Sequence, residues 1–229
     1  MREDISTPMS APLVFDSESL AFSAAAELFS NAIQEFVEQK ESCVVVVAGG
    51  RSTSEVLRIT FDKHIDWEKV HFVMADERCV PQMHPDRNDG LLKRIIESAN
   101  LQNAPTVHSI DAELSTSEGL SNFESLLGKI GSPDIALVGI ADDGHLASLF
   151  PNSKSLSALQ NAVFVDDSPK PPKHRISCSM AYLTRATYRI ALQTGHNKRD
   201  IFVRLQQGER LPLALFSPTH WFMDYAAAH

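Results

Sequence analysis

Cys43-Val44-Val45-Val46-Val47-Ala48 is an unbroken apolar run with four consecutive valines. β-Branched side chains suit strands, and a strand with no polar residue has no face to offer water. Such a run belongs inside a sheet covered on both faces, the habit of parallel sheets packed between helices. The run stops at Gly49-Gly50-Arg51-Ser52-Thr53, and a helical pattern carrying Val56, Leu57 and Ile59 follows.

The same unit recurs. Val70 to Ala75 is a second apolar run; it ends at Asp76-Glu77-Arg78 and leads through Pro81 and Pro85 to a helical pattern with Leu91, Leu92, Ile95 and Ile96. Ile135 to Ile140 ends in Ala141-Asp142-Asp143-Gly144-His145, and Tyr188 to Leu192 ends near Gly195, with Lys198 at the mouth of a helix over 199–205. Glu18 to Gln39 carries alanine, leucine, isoleucine and phenylalanine at helical spacing. The expected order is helix (18–39), strand (43–48), helix (54–60), strand (70–75), helix (90–98), strand near Val107, helix (117–129) and strand (135–140). Beyond the proline-rich surface loop 166–173 come a short strand from Arg175 to Met180, the strand at 188–192 and a terminal helix from Thr219 to Ala228, capped by Thr219. The fold class is therefore α/β: a mostly parallel, doubly wound sheet with helices on both faces, formed by one domain over 1–229.

Charge narrows the ligands. The net charge of −8 argues against nonspecific nucleic-acid binding, yet arginines and a lysine sit after apolar runs, as an anionic small molecule needs. The three cysteines have no CxxC spacing, Cys43 and Cys178 lie in strands, and a disulfide framework is not indicated. Residues 1–10 lack the apolar core of a secretory signal, and no run approaches the ~20 apolar residues of a membrane helix. The sequence has no HExxH, paired Cys/His spacing or GxSxG elbow, so no metal site is expected. A cytoplasmic monomer that binds neither nucleic acid nor membrane is the expectation.

Open α/β sheets bind ligands at the carboxyl ends of their strands, and each strand-end motif has a chemical and an ordinary reading. Gly49, Gly50 and Arg51 suit an anion at a helix N-terminus; a plain turn capped by Thr53 fits equally. Asp76 and Arg78 suit sugar hydroxyls and a phosphate or oxyanion; a solvated ion-paired turn fits as well. His145, after a glycine at a central strand end and beside Asp143, reads as a general base. Taken singly, Arg175 and Lys198 read as surface charge; Lys198 gains weight from opening a helix. Ser148 reads as a packing residue three positions along a helix rather than as a nucleophile.

Together these motifs resemble the 6-phosphogluconolactonase family, within the larger glucosamine-6-phosphate isomerase and lactonase group, from about Val44 to Ala228. Gly139-Ile140-Ala141-Asp142-Asp143-Gly144-His145-Leu146-Ala147-Ser148-Leu149-Phe150-Pro151 is similar to its most specific signature, GMGxDGHTASLFP. Asp76-Glu77-Arg78-Cys79-Val80-Pro81 with Asn88 resembles DERxVP…SN, and Lys170-Pro171-Pro172 with Arg175-Ile176-Ser177 resembles PKPP…RIT. Gly195 with Lys198, Leu211-Pro212, and Trp221 with Asp224 resemble GxxK, LPA and WxxD. Ala141 stands in place of a glycine, Leu146 of a threonine and Arg87 of a serine; Arg87 is expected to alter the loop edge beside Asn88.

The resemblance implies a sugar-phosphate isomerase/CoA-transferase-like fold and cofactor-free hydrolysis of 6-phospho-D-glucono-1,5-lactone, in the pentose phosphate pathway. It implies His145 as base with Asp143 or Asp76 orienting it, and Arg78 shared between phosphate and oxyanion. Gly49, Gly50, Arg51, Asn88, Arg175 and Lys198 are the implied substrate contacts. The deaminase-isomerase branch resembles DGHIAFNEP, with a glutamate where this chain has Phe150, so lactone hydrolysis is favoured. A sugar-phosphate deaminase or isomerase, and a sensor that has lost catalysis, are the alternatives.

Overall fold

The computed structural model describes residues 9–113 and 116–229. Residues 1–8, most of the stretch read above as lacking a secretory signal, lie outside the described residues. The first half runs β1 (Leu13–Phe15), α1 (Glu18–Lys40), β2 (Cys43–Val47), α2 (Arg51–Phe61), β3 (Val70–Met74), β4 (Asp76–Arg78), α3 (Asn88–Ser98), β5 (Thr106–His108), α4 (Thr116–Ile130) and β6 (Ile135–Gly139). It continues with β7 (Ala162–Val165), β8 (Arg175–Cys178), α5 (Met180–Leu183), β9 (Tyr188–Gln193), α6 (Arg199–Gln206), α7 (Pro212–Phe216), β10 (His220–Asp224) and α8 (Tyr225–Ala228).

Seven strands form one parallel sheet in the order β1-β10-β9-β6-β2-β3-β5. The valine run is β2; Val45 and Val46 are fully buried, with β6 on one side and β3 on the other. The path moves outward in one direction from β1 through β2 and β3 to β5, then returns through β6, β9 and β10. Right-handed crossovers therefore put α1, α2 and α3 on one face and the later helices on the other, and α2 touches both α1 and α3. The order reverses between β2 and β6, so their carboxyl ends open a crevice.

Local chemistry sets the longest helix. Ser17 caps α1 by accepting the Leu20 N–H, Glu18 lies in its first turn and Lys40 in its last, and Glu41 ends it in the left-handed region at φ 58°. Ala21, Ala25, Phe29 and Ile33 form its buried stripe.

Four expectations are corrected. The sheet is not alone: β4, β8 and β7 make a separate antiparallel sheet, so Asp76-Glu77-Arg78 is a strand paired with Arg175-Ile176-Ser177 and not a turn. The terminal helix begins at Tyr225, not Thr219. Trp221, Phe222 and Met223 are buried as strand β10 between β9 and β1, the cap is Asp224, and the Thr219 hydroxyl accepts the Arg189 N–H. Helix α2 starts at Arg51 with Gly50 as its cap, because the Thr53 hydroxyl donates to the Gly50 carbonyl. Ser148 lies on no helix; Leu146 and Leu149 close a tight antiparallel bridge around it. Strands β1 and β7 escaped the sequence reading.

Candidate active site

A cleft of about 320 Å³ opens at the carboxyl ends of β2, β6 and β9. Gly49, Gly50 and Arg51 enter it from β2 and the start of α2, His145 from the turn after β6, and Lys198 from beyond β9. Arg78 closes the side facing β4. Separate sequence segments thus meet because each follows a strand of one sheet.

The β6 turn is built by hydrogen bonds. Ala141 N–H donates to the His145 carbonyl, and Gly144 N–H to the Ala141 carbonyl, both at 3.0 Å. Gly144 has φ +88°, a region costly for any residue with a Cβ, and a Cβ there would press on Ile201 at 3.3 Å. Three residues on, Ala147 sits at φ +49° and also lines the cleft, a strained position of the kind that gathers at functional sites. Leu146, in the threonine position of the family pattern, is fully buried.

This turn presents the imidazole. Asp143 Oδ1 lies 2.5 Å from His145 Nδ1. That contact assigns the proton to Nδ1 and leaves the Nε2 lone pair available. Phe150 packs against the ring, centroids 4.5 Å apart. Burial pushes His145 below its usual value, opposed by Asp143 and reinforced by Lys170, so the neutral form is favoured near neutral pH. Burial works to raise Asp143, but His145 and Lys170 hold it below the usual carboxylate range.

The cations differ in readiness. Burial, and then the charge of Arg51, pushes the Lys198 ammonium down; it makes no ion pair or side-chain hydrogen bond among the described residues. Arg78 Nη1 donates to the Asp86 carbonyl at 2.6 Å, while its Nε is buried and unpartnered. Arg51 is exposed and pairs with Glu18 at 2.5 Å. No side chain caps α2, so its first N–H groups face the cleft beside Gly50.

Three expected site residues stand behind the cleft rather than in it. Asp76 does not touch His145; Ser148 Oγ donates to its Oδ2 at 2.5 Å and Asn88 Nδ2 to its Oδ1 at 3.2 Å. Asn88 is buried and supports the wall: a Cβ on Gly49 would collide with its Oδ1. Arg175 is buried and donates to the carbonyls of Lys170 and Pro172, both at 3.1 Å, with Phe150 beneath its guanidinium. It is a clamp on the proline loop. Arg87 does not edge the site. It is buried against Asp89 at 3.1 Å, Glu113 at 3.0 Å and Glu77 at 3.4 Å.

Sequence reasoning missed Ser52, Thr194 and Asn197, which line the cleft, and Lys170, which pairs with Asp142 and Asp143. Thr194 directly follows a strand and was within reach. Lys170 had no signal beyond a family motif in a loop read as surface.

Comparison with known proteins adds a family. Residues 16–224 match the family model described as glucosamine-6-phosphate isomerases/6-phosphogluconolactonase. A 6-phosphogluconolactonase of Mycobacterium leprae is 29% identical, over 94% of this chain and 96% of the relative. The crystal structure of 6-phosphogluconolactonase from Thermotoga maritima superposes with a TM-score of 0.81 at 22% identity, covering 93% of this chain and 98% of that one. A monomeric glucosamine-6-phosphate deaminase shares the fold at a TM-score of 0.77 and 16% identity, over 96% of this chain and 99% of the other.

Proposed function

The chain belongs to the glucosamine-6-phosphate isomerase/6-phosphogluconolactonase family, and from that premise we propose that it hydrolyses 6-phospho-D-glucono-1,5-lactone to 6-phospho-D-gluconate, a step of the pentose phosphate pathway. The observation that carries the reading is the Asp143–His145 pair, with Nδ1 held at 2.5 Å and Nε2 left free at the cleft.

The chemistry follows from the atoms. His145 Nε2 takes a proton from water as the water oxygen bonds to the lactone carbonyl carbon. Asp143 stabilises the imidazolium that forms. The oxyanion is met by Arg78 and its unpartnered Nε. The intermediate collapses by breaking the bond from that carbon to the ring oxygen. The imidazolium returns its proton to the departing ring oxygen, leaving a hydroxyl and a carboxylic acid. Lys198, Arg51 and the N–H groups of α2 hold the phosphate. A bound water, an oriented base and a cation suffice for an ester, so no cofactor enters.

Phe150 favours this branch over deamination. Its ring packs against His145 in the position where the deaminase pattern carries a glutamate. Ring opening and amine chemistry lack a carboxylate there. Turnover of the phosphorylated lactone at neutral pH, with the spontaneous rate subtracted, tests the proposal. Release of ammonia from glucosamine 6-phosphate, or binding without turnover, would assign it to one of the other readings.

A further inference from the structure

The proline loop is tied to the β6 turn by one side chain. Lys170 Nζ lies 2.7 Å from Asp142 Oδ1 and 3.3 Å from Asp143 Oδ2. The other oxygen of Asp143 holds His145 Nδ1. One ammonium therefore grips both carboxylates of the turn, on the side away from the imidazole.

The backbone at Lys170 is itself fixed. Its carbonyl accepts from Arg175 Nη2 at 3.1 Å and from the Ser168 hydroxyl at 2.7 Å, and its N–H donates to Ser168 Oγ at 3.3 Å. Arg175 begins β8 and is buried. A continuous chain of contacts thus runs from a buried strand, through Arg175 and Lys170, to Asp143 and His145.

Resting on the reading of His145 as the base, we propose that Lys170 is a positioning residue of this site, which fixes the Asp143 carboxylate with one oxygen turned toward His145. Without Lys170 the carboxylate is held at Oδ1 alone, by the imidazole and by the His145 N–H at 3.3 Å; a cation on the far oxygen fixes the other end. The geometry has an electrostatic consequence. Burial disfavours the imidazolium most, Asp143 and Asp76 favour it, Lys170 opposes it, Phe150 offers only an apolar face, and Arg78 and Lys198 line the same cleft. Lys170 thus adds to burial in keeping the ring neutral while leaving Asp143 to orient it.

The test is a histidine NMR titration of the full chain with 13C-labelled imidazole carbons, read beside kcat and KM. The His145 resonance is assigned by its loss in His145→Gln. Lys170→Met, and Lys170→Gln as a second neutral variant, should raise the His145 titration point by roughly half a unit or more, as removal of one nearby positive charge requires. They should lower kcat more than they change KM, and Lys170→Arg should restore most of both. A titration point unmoved in both neutral variants overturns the proposal, even if kcat falls. So does a kcat loss that Lys170→Arg does not rescue. If His145→Gln keeps wild-type kcat, it is the base reading that fails, and the titration still decides what Lys170 does to the pair.

Discussion

Ser148 Oγ donates to Asp76 Oδ2 at 2.5 Å, inside the protein where neither side chain meets solvent. This bond ties the β6 turn to strand β4. It also gives the Ser148 hydroxyl a structural acceptor. Ser148→Ala should lower stability by about 1–3 kcal/mol, the cost of a buried acceptor losing a donor. Its kcat should stay within roughly fivefold of wild type, because no interaction unique to the transition state is removed. Urea denaturation and steady-state kinetics check both; a kcat loss in the thousands would return Ser148 to the chemistry.

Arg87 holds together a buried acidic cluster. Glu77 is fully buried, and burial pushes its carboxyl up to about 7 against the N–H groups of Asn88, Asp89 and Arg78 and the charge of Arg87. Arg87→Met leaves Glu77 and Asp89 beside each other with no guanidinium, which should cost about 3–5 kcal/mol. The measurement is the urea midpoint of the variant. A change under about 1 kcal/mol, the range of ordinary substitutions, would show that the cluster tolerates losing its guanidinium, with Lys93 at 3.0 Å from Asp89 as the cation that remains.

The phosphate should be the main handle on substrate. Lys198→Ala should reduce kcat/KM for the phosphorylated lactone by roughly tenfold or more, since a charge-assisted contact is worth about 1.5–3 kcal/mol. Arg51→Ala should cost less, because Arg51 is exposed and already paired with Glu18. Unphosphorylated gluconolactone should be a poor substrate for all three proteins and nearly indifferent to both substitutions. Equal losses on both lactones would move these residues from the phosphate to the fold or the chemistry.

Much of this arrangement was legible. Cys43 to Ala48 and Ile135 to Ile140 read as strands, close to the Cys43–Val47 and Ile135–Gly139 that form, because β-branched and aliphatic runs with no polar interruption have one home in an α/β protein. The strand-end motifs then located Gly49, Gly50, Arg51, Arg78, His145 and Lys198, all of which line the cleft. The errors have physical causes. Asp76-Glu77-Arg78 is too charged to read as a strand, yet it pairs with Arg175-Ile176-Ser177, and the Glu77 carboxylate accepts N–H groups from three residues. Trp221-Phe222-Met223 lacks period-2 alternation because both faces of β10 are covered. The partners of Asp76 and Arg175, and the Glu77 and Glu113 partners of Arg87, are separated from them in sequence or hidden in loop backbone, and spacing carries no trace of them.

The acid limb of kcat/KM should report His145. Burial lowers its proton affinity from the usual 6.5, so the free base persists below that value. Activity should hold as pH falls through 6.5 and decline only below it. The folded state then binds fewer protons than the unfolded chain, so stability also falls as pH drops below 6.5. An acid limb centred above 6.5 would assign the essential proton to another group.

The most direct measurement is kcat/KM of His145→Gln on 6-phospho-D-glucono-1,5-lactone, with spontaneous hydrolysis subtracted and 6-phosphogluconate affinity measured alongside. Loss of the base should cost roughly 10²–10⁴-fold in kcat while product affinity stays close to wild type. A folded His145→Gln protein within about threefold of wild-type kcat, well short of what removing a general base costs, would contradict the account.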